Sequence, residues 1–238
     1  MFWKAARAAY AGITADDDDI RRYLAISAEF QQSGNEGIVG RIHDIGHRWV
    51  AKRALSGKTL EIGFGSGRHE RFFRGRREDY FPSEYSAWHF SSDPWRAVRG
   101  HGTAADARRL PYRDQSFDNV ISIYNMEHID DLQAVLTEVH RVLRPRGRFL
   151  VALPCEGGLL WNVGRELTTR RAFQKQYGIN YDKAIAFEHV RDYAGVVAEI
   201  RRSRLFSIES RRFFPSIVPI HHLNLIGCLD CTAGPDHS

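Results

Sequence analysis

Short apolar runs and stretches of helical periodicity alternate along this chain from about residue 59 onward. Runs of strand character cover Thr59–Ile62, Asp79–Ser83, Gly102–Ala105, Asn119–Ile123, Arg148–Leu153 and Ser207–Phe213, and a last one covers Leu223–Cys228. Asn119–Ile123 is continuous and apolar enough for a strand buried on both faces. Between the runs, helices are predicted over His69–Arg74, over Leu132–Leu143 with Asp130 or Asp131 as cap, and over Tyr193–Ser203. Leu132, Val135, Leu136, Val139 and Leu143 share one face of the second of these, and Pro145 and Gly147 stop it. Strands alternating with helices in this way predict an α/β fold built on a doubly wound, mostly parallel sheet. Two helices precede the first strand. One starts at Thr14 and the Asp16–Asp19 run, with Ile20, Tyr23, Leu24, Ile26 and Phe30 inward; the other spans Ile38–Leu55, with Ile42, Ile45, Trp49 and Val50 inward. A further helix over Leu159–Tyr177 carries Arg165, Arg170, Arg171 and Lys175 against the lone Glu166.

The first strand runs into Glu61-Ile62-Gly63-Phe64-Gly65-Ser66-Gly67. Glycines there let the chain turn sharply and let a ligand touch the backbone, as in the cofactor cradles of doubly wound folds. A dinucleotide fingerprint, G-x-G-x-x-G, would need a glycine where Arg68 stands. The stretch instead resembles motif I of the class I S-adenosylmethionine-dependent methyltransferases, E/D-x-G-x-G-x-G, at every fixed position. Downstream, Asp106, Ala107, Leu110, Pro111, Asp114, Phe117, Asp118 and Val120 resemble the gapped run of the methyltransferase type 11 group, and Glu127-His128-Ile129-Asp130-Asp131 resembles its following L-E-H-x-x-D segment.

The resemblance implies a Rossmann-like, seven-stranded sheet with its last strand antiparallel, and S-adenosylmethionine as cofactor. It also implies a role for each part of the chain: residues 1–57 a helical lid, 58–154 the cofactor-binding half, 155–192 an inserted cap over the substrate, and 193–238 the rest of the same domain. Glu61, Gly63, Phe64, Gly65 and Gly67 would surround the cofactor's amino-acid end. Glu84, 21 residues after Gly63, sits where an acid accepts from ribose hydroxyls, with Tyr85 beside it. Asp106 and Ala107 would meet the adenine, Tyr124 and Asn125 would complete the cofactor shell, and Glu156 and Arg165 would face the substrate.

Methyl transfer from a sulfonium needs positioning and desolvation more than catalytic groups, but a hydroxyl acceptor benefits from a base. His128 lies past the carboxyl end of the fourth strand, where ligands bind in such sheets, and either serves as that base or ties the loop structurally. His189 is a second candidate, on the family's pattern. The arginines of the 159–177 helix suit an anionic acceptor such as a phosphorylated sugar.

Composition narrows the field. The chain has 238 residues, 26% charged and 43% hydrophobic, with net charge +5. The basic balance permits an anionic substrate or a peripheral membrane contact and demands neither. No run is long enough to span a membrane, and the N-terminus lacks an apolar signal core. Three cysteines make no disulfide scaffold, so a reducing, cytoplasmic setting is expected. No metal site is expected: His43 and His47 lack supporting ligands, and with Cys228 in the predicted last strand, where side chains alternate, a four-ligand site from His221, His222, Cys228 and Cys231 would need a distant partner. A base-directed nucleic-acid methylase would carry Asn/Asp-Pro-Pro-Tyr where Tyr124-Asn125-Met126-Glu127 stands. The reading is therefore a methyltransferase acting on a small-molecule, glycan or lipid-linked acceptor without nucleic acid. Its alternatives are a catalytically inactive binding domain of the same fold or a nicotinamide-dependent oxidoreductase.

Overall fold

The computed structural model describes residues 8–10, 12–33, 37–54, 56–85 and 102–235, and the side chains of 28–33 and 38 lie outside the description. In chain order the elements are helices α1 (Asp18–Ser33) and α2 (Gly37–Ala51), strands β1 (Thr59–Ile62), β2 (Tyr80–Glu84), β3 (Thr103–Ala104) and β4 (Phe117–Ile123), helix α3 (Leu132–Val142) and strand β5 (Leu143–Pro154). They continue with helices α4 (Leu159–Leu167), α5 (Thr169–Tyr177), α6 (Tyr181–Glu188) and α7 (Tyr193–Ser203), then strands β6 (Phe206–Phe214) and β7 (Ile226–Ala233). The seven strands form one sheet in the order β3-β2-β1-β4-β5-β7-β6. β1 pairs in parallel with β2 on one side and β4 on the other, while β7 is antiparallel to both β5 and β6. This is the doubly wound, mostly parallel sheet that the sequence pattern predicts.

Alternation along the central strands feeds two cores. Val120, Phe149, Val151, Leu229 and Cys231 face α3 and α7, packing with Leu132, Leu136, Val139, Val196 and Ile200. Their neighbours Ile121, Leu150, Ala152 and Cys228 face the other way, onto Trp49 and Val50 of α2. Cys228 and Cys231 therefore sit on opposite faces of β7 and cannot share one metal ion. A third cluster joins Tyr23 of α1 to Phe173, Tyr181, Ala184 and Ile185, so the N-terminal helix packs on the 169–188 segment. Lys183 reinforces that contact, reaching Asp17 at 2.9 Å and Asp19 at 3.1 Å.

Several boundaries differ from the sequence reading. Residues 68–72 form turns rather than a helix. The 159–177 helix is broken at Thr168, whose backbone leaves helical geometry (φ −119°, ψ −86°), and a separate α6 follows. Leu24 is exposed, one position off the buried stripe of Ile20 and Tyr23. β7 starts later than expected and runs through Thr232 to a buried Ala233, because Leu229 and Cys231 continue the inward alternation. β5 begins at Leu143, paired with Phe117, and Arg146 takes a left-handed turn (φ 62°) before pairing resumes at Arg148 with Asn119.

α2 lies close to the sheet's carboxyl edge because Gly46 has no side chain. A Cβ there would stand 2.4 Å from the Tyr124 hydroxyl, which donates to the His43 carbonyl at 3.0 Å. Overpacking of this kind costs about 1–3 kcal/mol, more than the roughly 1 kcal/mol by which alanine favours a helix over glycine. Gly46→Ala should therefore lower the melting temperature by roughly 2–4 °C per net kcal/mol in a chain of this size. In a Tyr124→Phe background the same change should cost much less; equal costs in both backgrounds would mean that the hydroxyl is not the obstacle.

Candidate functional site

The carboxyl ends of β1, β2 and β4 open into a cavity of about 1220 Å³. Gly63, Gly65 and Gly67 all take left-handed φ values, of 75°, 54° and 74°. The turn is pinned from β2, where the Ser83 carbonyl accepts from both Gly63 N and Phe64 N at 3.0 Å. At Gly63 a Cβ would come 2.4 Å from the Asn125 side chain, so only glycine lets the loop after β4 close on the loop after β1. Glu61 lies buried beneath this turn. Burial raises its pKa to about 8, although the Tyr80 hydroxyl donates to its carboxylate and pulls the other way.

Glu84 ends β2 at the cavity wall. One carboxylate oxygen accepts from Gly65 N and the other from Tyr85 N, each at 2.8 Å, which fixes the plane of the group at the cavity wall. Asp106 and Ala107 line the same wall beyond β3. There the Arg108 guanidinium grips the Asp106 carboxylate with contacts of 2.7 to 3.1 Å and holds its pKa below the usual range. Tyr124 and Asn125 line it from the β4 loop, and Tyr124 is held at φ 55°, a conformation that bulky residues adopt only when their surroundings over-determine it. Tyr85 is largely exposed, and Gly67 is the one residue of the expected cofactor set that does not line the cavity.

The sequence reading did not anticipate how the glycine turn is fastened. Arg68, the residue that displaces the dinucleotide glycine, donates to Asp44 at 2.9 Å and to the Gly40 carbonyl at 2.7 Å, and Arg71 reaches the same carboxylate at 2.6 Å. Asp44 on the inner face of α2 is the matching signal, since a buried aspartate on an apolar stripe calls for a cation. His47 and His69 lie side by side beneath this tie, Nδ1 to Nδ1 at 3.3 Å. Burial drives both well below the ordinary histidine value, His69 to about 3, so both stay neutral. His47 is thus engaged with His69 rather than paired with His43 as a ligand set.

Across the cavity, five ionisable groups meet. His189 Nδ1 bonds the buried carboxylate of Glu156, whose other oxygen accepts from Arg165 at 2.7 Å. Burial would lower the His189 pKa, but the Glu156 charge and hydrogen bond outweigh it and raise the pKa to about 9. His128 stands edge-on to His189, ring centres 4.6 Å apart. Its Nδ1 lies 3.1 Å from the Glu188 carbonyl, which can only accept, so Nδ1 carries the proton and Nε2 the lone pair. Desolvation by the cavity walls, with the neighbouring His189 charge, lowers the pKa of His128. Glu127, also buried, has its own pKa raised by burial and leaves Oε2 without a partner. Among the described residues His128, Glu188 and His189 could bring ligand atoms within 4.8 Å of one another, but an imidazolium at His189 opposes a cation there.

Of the cations expected to meet an anionic acceptor, only Arg165 lines the cavity, and it is paired with Glu156. Arg170 pairs with Glu166 and Asp182, and Arg171 and Lys175 are exposed outside the lining. The far wall is mainly apolar and aromatic, with Ala172, Phe173, Tyr177, Tyr181 and Ile185 beside the uncharged Thr168, Thr169 and Gln176.

Comparison with known proteins fits this geometry. Residues 60–151 match the family described as the methyltransferase domain. That segment is similar to the family, and it makes up less than half of the chain. The methyltransferase GfsG of Streptomyces halstedii is 31% identical over 119 residues, 48% of this chain and 40% of that protein. The fatty-acid O-methyltransferase of Mycolicibacterium smegmatis is 31% identical over 112 residues, 44% of this chain and 40% of that protein. The matches thus span less than half the length of either relative. A solved SAM-dependent methyltransferase from Thermotoga maritima shares the fold, with TM-score 0.58 and 17% identity over 90% of this chain and 99% of that one. The matched segment makes S-adenosylmethionine the cofactor against which to test the site. The site fits it: a glycine turn that excludes side chains, a fixed carboxylate at Glu84, and room for a nucleoside and an acceptor together. Among the described residues no helix is long and apolar enough to cross a membrane.

The His189–Glu156 pair makes stability depend on pH. The folded pKa of His189 lies above its ordinary 6.5, so its contribution is complete below pH 6.5 and is lost as pH rises through about 9. Thermal denaturation across this window should show Tm falling in the wild type. Glu156→Gln should be less stable at pH 6.5 and show a flatter profile; parallel profiles would mean that the pair holds no charge.

Proposed function

We propose that this chain transfers a methyl group from S-adenosylmethionine to a hydroxyl oxygen of a largely apolar small molecule, or of a lipid- or glycan-linked acceptor, with His128 as general base. When bound, the cofactor supplies a methyl already activated by its sulfonium. Glu61, Gly63, Phe64 and Gly65 would form the cradle for its amino-acid end, Gly67 shaping the turn from outside the cavity, with Tyr124 and Asn125 closing over it. Glu84 and Tyr85 would hold the ribose, and Asp106 and Ala107 the adenine edge.

The observation that carries the reading is the contrast between the two facing histidines. His189 is held as an imidazolium by Glu156 and is a poor base at neutral pH. His128 is kept neutral, its proton fixed on Nδ1 by the Glu188 carbonyl and its Nε2 lone pair available on the cavity side. Nε2 can take the acceptor's proton as the oxygen attacks, and Glu127, with Oε1 at 4.0 Å, supports the imidazolium that forms. Glu156 and Arg165 then serve as the frame that holds His189 against His128. The apolar far wall, with Arg165 spent on Glu156, favours an apolar acceptor over a phosphorylated one. The fatty-acid and other O-methyltransferases among the relatives agree with an oxygen acceptor.

Two substitutions test this. Hydrogen bonds to charged groups are worth about 1.5–3 kcal/mol, so Glu84→Ala should weaken cofactor binding roughly tenfold or more by calorimetry. His128→Ala should cut turnover about 10²-fold with cofactor affinity kept, and the wild-type rate should fall as pH drops below 6.5 through the lowered pKa. If the rate at saturation survives and cofactor affinity falls instead, His128 is structural. Wild-type protein that binds a nicotinamide dinucleotide but not S-adenosylmethionine would overturn the whole reading.

A further inference from the structure

Among the described residues, eight of the ten large apolar side chains that face solvent lie in two segments. Leu159, Leu160, Val163 and Leu167 run along α4, and Ile217, Val218, Ile220 and Leu223 project from the loop between β6 and β7. The two segments touch. Gly158, the cap of α4, packs so tightly that a Cβ would meet the His221 carbonyl oxygen at 2.8 Å and His222 Cα at 3.1 Å. Together they make one exposed apolar patch, which monomeric proteins rarely leave uncovered without a use for it.

The patch is built rather than incidental. Asn224, fully buried, holds the loop in shape: its Nδ2 donates to the Val218 and Ile220 carbonyls at 2.9 Å and its Oδ1 accepts from Ser216 N at 2.8 Å. With the backbone pinned in this way, the apolar tips point outward, and Ile217 is 82% exposed. On α4 the exposed stripe Leu160, Val163, Leu167 lies one residue, or about 100°, from the stripe Trp161, Gly164, Thr168 that lines the cavity. None of the eight patch residues lines the cavity.

We infer that this patch docks the protein on an anionic lipid surface. Three features favour that occupant over a protein partner. The patch projects from a helix and a loop tip, whereas a partner helix would need a groove. Its flanks carry cations: exposed Arg171 and Lys175 follow α4, exposed Arg211 and Arg212 precede the loop, residues 211–223 contain no acidic residue, and Glu166, the acid of α4, is paired with Arg170. Apolar side chains with cations beside them are how surface-lying segments sit at the boundary between headgroups and acyl chains. Docking does not depend on methyl transfer. Delivery of an acceptor from that surface past α4 into the cavity would rest on the function proposed above.

The test is cosedimentation of the full chain with vesicles of phosphatidylcholine, with and without one-third phosphatidylglycerol. The wild type should partition onto the anionic vesicles, less so at high salt, and weakly onto neutral ones. The double variant Leu167→Asp/Ile217→Asp should bind at least tenfold more weakly with Tm unchanged, because both side chains are exposed. Arg171→Glu/Lys175→Glu should lose the preference for anionic lipid. No vesicle binding by the wild type, or binding equal in the apolar double variant, would overturn the proposal. A wild-type dimer in sedimentation velocity that Leu167→Asp/Ile217→Asp dissociates would also overturn it, assigning the patch to a second copy of the chain. Calorimetry with S-adenosylmethionine on the same variants keeps the two proposals apart, since cofactor binding should be unchanged in all of them.

Discussion

The turn at Gly63 is the constraint on which the rest of the site depends. β1 is flanked by β2 and β4 in parallel register, Ile62 level with Ser83 on one side and Ser122 on the other. The chain must therefore leave the sheet in a narrow crevice where the strand order reverses, and ligands bind at such a point because backbone groups there have no further strand to pair with. The Ser83 carbonyl takes two of the freed N–H groups, and Glu84 takes a third from Gly65. Asn125 fills the space that a side chain on residue 63 would need. A carboxylate, a glycine turn and the β4 loop are thus set in one place by the sheet itself, before any contact with a ligand.

The fastening of this crevice explains which features were legible in the sequence. Strands and their flanking helices were, because burial on two faces imposes unbroken apolar runs on β4 and β5 and a period of 3.6 on α3 and α7. The glycine turn and Glu84 were legible because their spacing follows from strand and crossover length. The Arg68–Asp44 tie was not, since one partner lies on a helix before the first strand and the other beyond the glycines, with nothing local to relate them. The same holds for Glu156 and His189, 33 residues apart and joined only by the fold of α4–α6. The break at Thr168 escaped periodicity because no proline or glycine stands at it, although the apolar Leu159–Leu167 gives way there to the polar Thr169–Tyr177.

Charge in the chain's 155–192 segment illustrates the limit of composition as a guide to recognition. Arg165 and Arg170 look like cations awaiting an anion, yet a cation in a largely desolvated place is held by an acid of the same chain. Glu156 is the acid for Arg165, and it binds His189 with its second oxygen. One buried carboxylate therefore consumes two cations, leaving the far wall of the cavity with the character of its aromatic and aliphatic side chains.

The same carboxylate sets the division of labour between the histidines. Two imidazoles 4.6 Å apart cannot both be charged at neutral pH without strong repulsion, so fixing the proton on one keeps it off the other. Glu156 selects His189 as the charged member, and the Glu188 carbonyl selects the tautomer of His128. A neutral imidazole facing a charged one thus arises from two hydrogen bonds supplied by residues outside the motif segments. Function in a fold of this kind is placed by what surrounds the frame of the sheet, and here the surroundings of the cavity are α4, α6 and the loop after β4.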